Sequence, residues 1–236
     1  MYNRFNVRMM MVDVPNGYIP SLLERVKEMH EKCPNAFIIA GNVVDAAGAS
    51  QILDAGAKCV KTGIGNGSVC RTREKTGVGR PQLSALIEVA DICHQRGMYV
   101  MCDGGVKNPA DVCKAFGAGA DMVISGSLFA GCEEAEGDAV EVDGKKFKQY
   151  YGMSSHLAQA KHFGGIRPYS ASEGREKLIP YAGSLNDVLQ DIEGGLRSCC
   201  TYIGCMKMKN FSRHTTFYRV HSQLNTLFAR CPDLKK

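Results

Sequence analysis

Short apolar runs recur through the first half of the chain, and an amphipathic stretch follows each of the first four. The runs cover residues 9–14, 37–43, 59–64, 99–103 and 122–125, and the amphipathic stretches cover 21–33, 46–55, 80–95 and 109–116. The runs are mostly apolar rather than alternating, which is typical of strands covered on both faces. Strands that alternate with helices at this spacing predict a parallel sheet and an α/β fold.

Capping and breaking residues mark the ends of these predicted helices. The capping-box pattern Ser21-Leu-Leu-Glu24 predicts the start of the first helix, and Pro34 predicts its end. Pro81 suits the first position of the 80–95 helix, and Gly97 suits its stop. Four apolar residues fall on one face of that helix: Leu83, Leu86, Ala90 and Cys93.

The strand-helix units indicate a TIM (β/α)8 barrel, of which about five of the eight units are visible. From Leu128 onward the chain is polar and loop-rich as far as Ser184, where a second capping box (184–187) predicts another helix. We therefore expect a single domain over residues 1–236. It comprises a partial barrel and, over about 128–236, a flap and a carboxyl-terminal segment. The apolar residues of the last predicted helix are Leu185, Val188, Leu189, Ile192 and Leu196.

An inserted loop of about fifteen residues, 65–79, separates the third strand from its helix. Oversized loops at the carboxyl ends of strands carry the active sites of α/β folds. Glycines bend this loop around Cys70, which predicts an exposed and mobile nucleophile, and Arg71 and Arg73 would favour its thiolate form. A Rossmann dinucleotide motif is disfavoured, because its glycines open directly into a helix and the helix here begins only near Pro81.

Two short glycine-containing segments follow the last two strands. Gly104 and Gly105 come after Asp103, and Gly126 and Ser127 come after the fifth run. In eight-stranded barrels the loops after the last two strands commonly bind phosphate through backbone N–H groups, which glycine leaves accessible. Asp103 could accept hydrogen bonds from ribose hydroxyls. Together these features favour a nucleoside monophosphate as the ligand.

Composition narrows the class of protein. The formal net charge is +5, from 29 basic and 24 acidic side chains. Because the basic residues are dispersed along the chain, a nucleic-acid role has little support. The 11 cysteines form no Cys-x-x-Cys pair, so we expect reduced and mostly buried thiols in a cytoplasmic protein. No apolar leader follows Met1, and no stretch approaches the ~18 residues of a membrane helix. The densest basic cluster is better explained as a solvated face: Lys207, Lys209, Arg213, His214 and Arg219.

The chain resembles the IMP dehydrogenase/GMP reductase family from Asp13 to about Val220. The stretch VKTGIGNGSVCRT (60–72) is similar to the family's cysteine-loop signature, and DGG, SGS, YGMSS and ASEG follow in the family's order. The short connection between Met153 and Glu173 resembles the reductase form, whereas dehydrogenases are expected to carry a longer flap with an Arg-Tyr pair. The later stretches SCCTYIG and RHTTFYRV also resemble the reductases.

This resemblance implies NADPH-dependent conversion of guanosine monophosphate (GMP) to inosine monophosphate (IMP) and ammonia. Cys70 would attack C2 of the guanine base, and a hydride from NADPH would reduce the resulting covalent intermediate. Thr72 and Glu173 would shuttle protons to the departing amine, which leaves poorly without protonation. The family further implies a homotetramer, and we expect its first barrel strands to be missing before Met1.

The resemblance also assigns binding residues. Those for the nucleotide would be Asp103, Gly104, Gly105, Gly126, Ser127, Gly152, Met153, Ser154, Ser170, Ala171, Ser172 and Gly174. Those for NADPH would be Asp13, Val14, Pro15, Ile64, Gly65, Met153, Tyr169, Ser198, Cys199, Cys200 and Thr201. A monovalent cation such as potassium would be held by the backbone carbonyls of Gly65, Gly67 and Cys70. Two positions depart from the family pattern: Ser170 stands where reductases usually have arginine, and Pro15 where they have a small residue.

Three alternatives differ in the chemistry they require. An IMP dehydrogenase would oxidise the same purine carbon with NAD and water. A partial barrel with open strand edges could instead be a non-catalytic partner of complete subunits. Another phosphate-binding barrel, such as a flavin oxidase, is disfavoured because it would not need Cys70 and its glycines. We expect neither nucleic acid nor a membrane as a partner.

Overall fold

Two β-sheets organise the chain in the computed structural model, which describes residues 7–165 and 172–220. The strands are β1 (Met9–Asp13), β2 (Phe37–Val43), β3 (Cys59–Thr62), β4 (Tyr99–Asp103), β5 (Met122–Ile124), β6 (Ala139–Val142), β7 (Lys145–Tyr151) and β8 (Glu176–Pro180). The helices are α1 (Pro20–Lys32), α2 (Ala46–Asp54), α3 (Thr72–Thr76), α4 (Gln82–Gln95), α5 (Pro109–Gly117), α6 (His156–Phe163), α7 (Leu185–Tyr202) and α8 (Phe211–His214), with a 3₁₀ turn at Met208–Asn210.

The first sheet contains β1 to β5, all parallel and in chain order. A helix-containing connection follows each of the first four strands, as a parallel pairing with the next strand requires. The register runs from Met9 opposite Phe37 to Asp103 opposite Ile124, so the carboxyl ends of the strands meet at one edge. The sheet curls into half a barrel, which confirms the predicted partial TIM barrel.

Alternate residues of these strands pack on opposite faces of the sheet. The main core lies between the sheet and its helices, and it includes Ile38, Val60 and Val100, each 0% exposed. A smaller cluster lies on the other face: Ile39, Cys59 and Met101. Burial on both faces requires apolar residues at consecutive positions, which explains the continuous apolar runs of the sequence.

Two helices begin differently from the prediction. Helix α1 begins at Pro20, after Ile19 and without a side-chain cap, so the predicted capping box at Ser21 is wrong. Proline suits this position because the first N–H groups of a helix have no intrahelical partner. Helix α4 begins one residue later than expected, with Pro81 as its N-cap residue.

The buried stripe of α4 matches the predicted face except at its start. Leu86, Ala90 and Cys93 are buried as predicted, whereas Leu83 is 38% exposed. Ala85 and Val89 are buried as well, and they move the centre of the stripe about a quarter turn away from Leu83. Strands β3 and β4 therefore pack against a helix face that the sequence pattern located only approximately.

The region after Leu128 contains more regular structure than predicted. Strands β6, β7 and β8 form an antiparallel sheet within the segment expected to be loop-rich. Most of their side chains face solvent, so no apolar run marks them. The Asp143-Gly144 turn between β6 and β7 has positive φ at both residues (50° and 71°), and this hairpin signal could have revealed the sheet.

The carboxyl-terminal helix α7 begins where the second capping box predicts. Ser184 accepts a hydrogen bond from the Asn186 N–H through its hydroxyl oxygen, and Ile192 is buried against α5. Leu189, predicted on the apolar face, is 41% exposed. Among the described helices, none is long and apolar enough to cross a membrane.

The packing of α4 predicts that truncation of two adjacent residues changes the free energy of unfolding by different amounts. Leu86→Ala removes a side chain that is 1% exposed and should lower the free energy of unfolding by about 2–5 kcal/mol. Ile87→Ala is the matched control, because Ile87 is 45% exposed and its loss should change stability by less than about 0.5 kcal/mol. If urea unfolding showed that the two variants lose equal amounts of stability, the orientation of α4 would be contradicted.

Candidate active site

The cysteine loop is paired with a segment of the chain about one hundred residues away. Cys70 and Gly174 form an isolated antiparallel bridge. The Arg71 N–H donates to the Glu173 carbonyl at 2.6 Å, and the Arg175 N–H donates to the Val69 carbonyl at 2.8 Å. In this geometry the central pair has no hydrogen bond of its own and lies at the closest interstrand spacing.

This pairing brings the three predicted catalytic residues into one hydrogen-bonded chain. The Cys70 thiol lies 3.1 Å from Thr72 Oγ1, and the Thr72 hydroxyl donates to Glu173 Oε2 at 2.6 Å. All three side chains are partly buried rather than fully exposed. The arrangement provides a path for a proton between the sulfur atom and the carboxylate.

Glycine is required where the two segments meet. A Cβ on Gly174 would collide with the backbone nitrogen of Ser155. A Cβ on Gly152 would lie 3.1 Å from the Val69 carbonyl oxygen and 3.2 Å from Cα of Gly174. The turn that contains Gly152 therefore packs directly on the cysteine loop.

The flanking arginines make their hydrogen bonds with groups other than the Cys70 sulfur. Arg71 pairs with Glu74 at 3.0 Å on the same short helix. Arg73 donates to the carbonyl oxygens of Ile64, at 3.3 Å, and of Arg80. Both guanidinium groups thus have other partners, and Arg73 braces the ends of the loop. The predicted exposed cysteine is instead partly buried, and Thr72 begins helix α3.

A buried lysine that sequence reasoning missed connects the carboxyl ends of three strands. Lys61 is 1% exposed, and its Nζ lies 2.6 Å from Asp13 Oδ1 and 3.0 Å from Asp103 Oδ2. Asn42 donates to the same Asp103 oxygen at 2.8 Å and to the Gly63 carbonyl at 2.8 Å. Asp103, predicted to hold ribose, is therefore already oriented by two donors.

Gly41 makes room for this lysine. It lies on β2 between Asp13 and Lys61, and a Cβ there would approach the Lys61 carbonyl oxygen to 2.5 Å and its Cβ to 2.6 Å. The lysine side chain can therefore cross β2 to reach Asp13. The sequence did contain a signal for Lys61: it is a charged residue inside an apolar strand, two positions before the GIGNG segment.

The predicted phosphate loops lie side by side. Asp103 is paired with Ile124 at the ends of β4 and β5, and Gly104 and Gly105 have φ near 77°. The hydroxyl groups of Ser125 and Ser127 both donate to the Val106 carbonyl, at 2.7 and 3.0 Å. The Ser127 hydroxyl therefore joins the two loops to each other. The structure also brings the predicted glycines of the two loops together.

Two polar side chains beside these loops were not predicted. A Cβ on Gly126 would collide with the Tyr150 hydroxyl, so that hydroxyl faces the glycine. Burial raises the pKa of Tyr150, and the neighbouring Ser68 side chain lowers it in part. Asn66 donates to the Asp103 carbonyl at 2.7 Å and so fastens the cysteine loop to the first glycine loop.

The residues predicted to hold the base also gather around the cysteine loop. The Gly152 N–H donates to the Arg175 carbonyl at 3.0 Å, and the Ser172 hydroxyl donates to the Ser154 carbonyl at 3.1 Å. Met153 is 59% exposed beside them. Three further predicted residues lie outside the described part of the chain: Tyr169, Ser170 and Ala171.

The predicted NADPH residues divide into two groups. Asp13, Val14, Pro15, Ile64, Gly65 and Met153 lie at or near the carboxyl ends of the strands and on the adjacent turn. Ser198, Cys199, Cys200 and Thr201 lie on α7, which packs against α5. Within residues 7–165 and 172–220, no side-chain hydrogen bond or salt bridge joins the two groups.

The carbonyl groups assigned to a monovalent cation lie on one turn of the loop. The Gly67 carbonyl accepts a hydrogen bond from the Cys70 N–H at 3.1 Å, and Gly65 has a φ of 73°. Uncharged carbonyl oxygens are suitable ligands for potassium. The described residues contain no cluster of three His, Cys, Asp or Glu side chains suited to a metal ion. A cation in this loop would thus be bound by the backbone carbonyl groups of the loop.

The other cysteines are less uniformly buried than predicted. The described ranges contain nine cysteines besides Cys70, all of them free thiols, and five of the nine are buried. Burial raises the pKa of both Cys59 and Cys93 to about 12, which keeps these core thiols protonated. The basic cluster from Lys207 to Arg219 is solvent-exposed, as predicted.

Comparison with known proteins identifies the family of this chain. The family model described as IMP dehydrogenase / GMP reductase domain matches residues 3–225. The chain is 50% identical over 217 residues to a GMP reductase of Caenorhabditis elegans, covering 92% of this chain and 61% of the relative. It is 48% identical over 223 residues to GMP reductase 2 of Homo sapiens, covering 94% and 64%.

A solved structure has the same fold. The crystal structure of a GMP reductase from Trypanosoma brucei in complex with guanosine 5'-monophosphate superposes with a TM-score of 0.85 at 34% identity, covering 91% of this chain and 45% of that one. The chain therefore spans less than two thirds of the length of these relatives, at 61% and 64% of the two curated proteins.

The buried position of Lys61 predicts a large effect on stability. Lys61→Met should lower the free energy of unfolding by about 2–4 kcal/mol, because Asp103 and Asp13 lose their shared cation. Lys32→Met is the matched control: its ion pair with Glu28 is exposed, and its loss should change stability by less than about 0.5 kcal/mol. Unfolding curves that coincide for the two variants would show that Lys61 does not join the strands.

Proposed function

Because the chain belongs to the IMP dehydrogenase / GMP reductase family, we propose that it carries the reaction centre of a GMP reductase. The reaction is the NADPH-dependent conversion of GMP to IMP and ammonia. The hydrogen-bonded chain from Cys70 through Thr72 to Glu173 is the observation that carries this proposal. It joins a nucleophile, a hydroxyl relay and a carboxylate, the three groups that displacement of an amine from a purine requires.

In the first half-reaction the sulfur of Cys70 bonds to C2 of the guanine ring. The thiol proton passes to Thr72 Oγ1 while the Thr72 hydroxyl gives its own proton to Glu173, along the two hydrogen bonds already formed. The relay then returns this proton to the 2-amino group, and the C2–N bond breaks to release ammonia. One thiol proton is consumed and one C–S bond replaces one C–N bond.

In the second half-reaction the C–S bond breaks. NADPH, when bound, supplies the hydride that reduces C2 and yields IMP. The departing Cys70 thiolate regains a proton that enters from solvent and passes through Glu173 and Thr72, which returns the three residues to their starting state. Met153, 59% exposed beside the cysteine loop, and Ile64 are the described residues that we assign to the side from which the hydride arrives.

The loops at the ends of β4 and β5 hold the nucleotide in this proposal. Gly104, Gly105 and Gly126 leave backbone open to a phosphate group, and Asp103 accepts hydrogen bonds from the ribose. Lys61 and Asn42 fix the Asp103 carboxylate, so this contact needs little reorganisation on binding. A potassium ion on the carbonyls of Gly65, Gly67 and Cys70 would hold the cysteine loop in its turn.

The test alters Thr72 and Glu173 and keeps the nucleophile Cys70. Glu173→Gln keeps the size of the side chain but cannot take a proton, so kcat for ammonia release from GMP with NADPH should fall by roughly 10²-fold or more. Thr72→Val should have a similar effect, and Thr72→Ser, which retains the hydroxyl, should recover most of the activity. KM for GMP should change much less than kcat in each case.

The matched control is Glu141→Gln, an exposed glutamate on β6 whose loss should leave the rate unchanged. Cys70→Ser should abolish both turnover and any purine adduct on the protein, detected by mass spectrometry after incubation with GMP. Ammonia release that survives in Cys70→Ser, or a Glu173→Gln variant as active as the unaltered chain, would contradict the proposal.

The choice of substrate distinguishes a dehydrogenase from the proposed reductase. We expect no NAD-dependent oxidation of IMP, because the connection between Met153 and Glu173 is short and a dehydrogenase needs an activated water. Oxidation of IMP with NAD, in place of ammonia release from GMP, would assign the chain to the dehydrogenases instead.

The open edges of the sheet favour a second candidate function, in which the chain is a non-catalytic partner of complete subunits. Strands β1 and β5 are the two ends of the five-stranded sheet, and Met9 and Met11 of β1 are 57% and 45% exposed. Exposed strand edges recruit further chains. Size-exclusion chromatography of the chain, alone and mixed with a complete homologue, distinguishes a mixed assembly from a self-associating enzyme such as a homotetramer.

A further inference from the structure

A group of thiols outside the candidate active site lies where helix α7 packs on helix α5. Cys113 is on α5, and Cys199 and Cys200 are adjacent on α7. All three are free and partly exposed, unlike the buried thiols of the core. None of the reactions proposed above uses their sulfur atoms.

The two helices approach closely at this point. A Cβ on Gly195 would lie 3.0 Å from Cβ of Pro109, so the missing side chain lets the helices come together. One turn farther along α5, the Cys113 sulfur lies 3.7 Å from the Gly195 carbonyl oxygen. In an α-helix that oxygen accepts the N–H of Cys199, and the Cys199 side chain leans back over the same turn. The sulfur atoms of Cys113 and Cys199 are therefore neighbours.

The electrostatic environment of Cys113 agrees with this placement. Burial raises the pKa of Cys113 to about 11, and the facing Cys199 thiol is the next largest cause. Cys200 contributes less to this shift in the pKa of Cys113, and its sulfur lies 3.9 Å from Sδ of Met208. Of the two adjacent cysteines on α7, Cys199 is thus the one that faces α5.

We propose that Cys113 and Cys199 form a redox-active dithiol whose oxidant is a small-molecule disulfide such as oxidised glutathione. The Cys199 thiolate attacks one sulfur of the small disulfide, forms a mixed disulfide and releases the first small thiol. Cys113 then loses its proton to solvent and attacks the Cys199 sulfur, which forms the protein S–S bond and releases the second small thiol. Two protein thiols are oxidised while one small disulfide is reduced to two thiols.

The cross-link would tie the carboxyl-terminal helix to the last helix of the half-barrel. It closes the chain between Cys113 and Cys199, which includes β5 and the whole antiparallel sheet. A bond across so long a segment restricts the unfolded chain and raises the stability of the folded one. This consequence concerns α5 and α7 alone, so the proposal does not depend on the activity assigned to Cys70.

The test is a peptide map of the unaltered chain after exposure to oxidised glutathione at about pH 8.5, close to the pKa of an ordinary free cysteine. Free thiols are alkylated, and the protein is digested with trypsin without reductant. Cys113 falls in peptide 108–114, whereas Cys199, Cys200 and Cys205 share peptide 198–207. We expect these two peptides to be joined, with fragmentation assigning the bond to Cys199. The midpoint of thermal unfolding should rise by roughly 5–10 °C and return on reduction.

Matched variants identify the two sulfur atoms. Cys113→Ser and Cys199→Ser should each abolish the joined peptides and the thermal shift, whereas Cys200→Ser, in the same peptide, should retain both. A disulfide within peptide 198–207, such as one between Cys200 and Cys205, would overturn the proposal. Mixed disulfides with glutathione that never close would overturn it as well. Both readouts begin with the unaltered chain, so they do not rely on a variant that folds.

Discussion

The backbone pairing between the cysteine loop and the segment that begins at Ser172 is the interaction on which the candidate site depends. Cys70 and Thr72 are near neighbours in the chain, but Glu173 lies 101 residues beyond Thr72. No local preference of either segment can bring that carboxylate to the threonine hydroxyl. Two hydrogen bonds around the bridge of Cys70 and Gly174 accomplish this. The backbone of Ser154 and Ser155 leaves no room for a side chain at Gly174.

A second constraint fixes the substrate side relative to this pairing. Lys61 reaches two carboxylates across neighbouring strands, and Gly41 leaves the space through which it passes. Asn66 then connects the cysteine loop to the backbone of Asp103. The nucleophile and the loops assigned to the nucleotide are thereby held on one rigid edge of the half-barrel, which is the condition for reproducible attack geometry.

The sequence allowed the parallel half-barrel to be predicted because strands covered on both faces produce long apolar runs. Strands β6 to β8 were missed for the opposite reason: their side chains are mostly exposed, and only the Asp143-Gly144 turn marks them. For the site, the cysteine loop and the two glycine-containing segments after β4 and β5 could be predicted from spacing within short motifs. The partners of Arg73 and the position of Lys61 could not, because they depend on contacts between segments that are distant in sequence.

The pairing itself can be measured by hydrogen exchange at individual backbone amides. The Arg71 and Arg175 amides donate the two hydrogen bonds around the bridge, whereas Val78 lies in the same loop and donates only to a nearby threonine hydroxyl. We predict that the Arg71 and Arg175 amides are protected and that Gly174→Ala exposes both together while Val78 is unaffected. Arg71 and Arg175 amides that exchange as fast as Val78 in the unaltered chain would contradict the account.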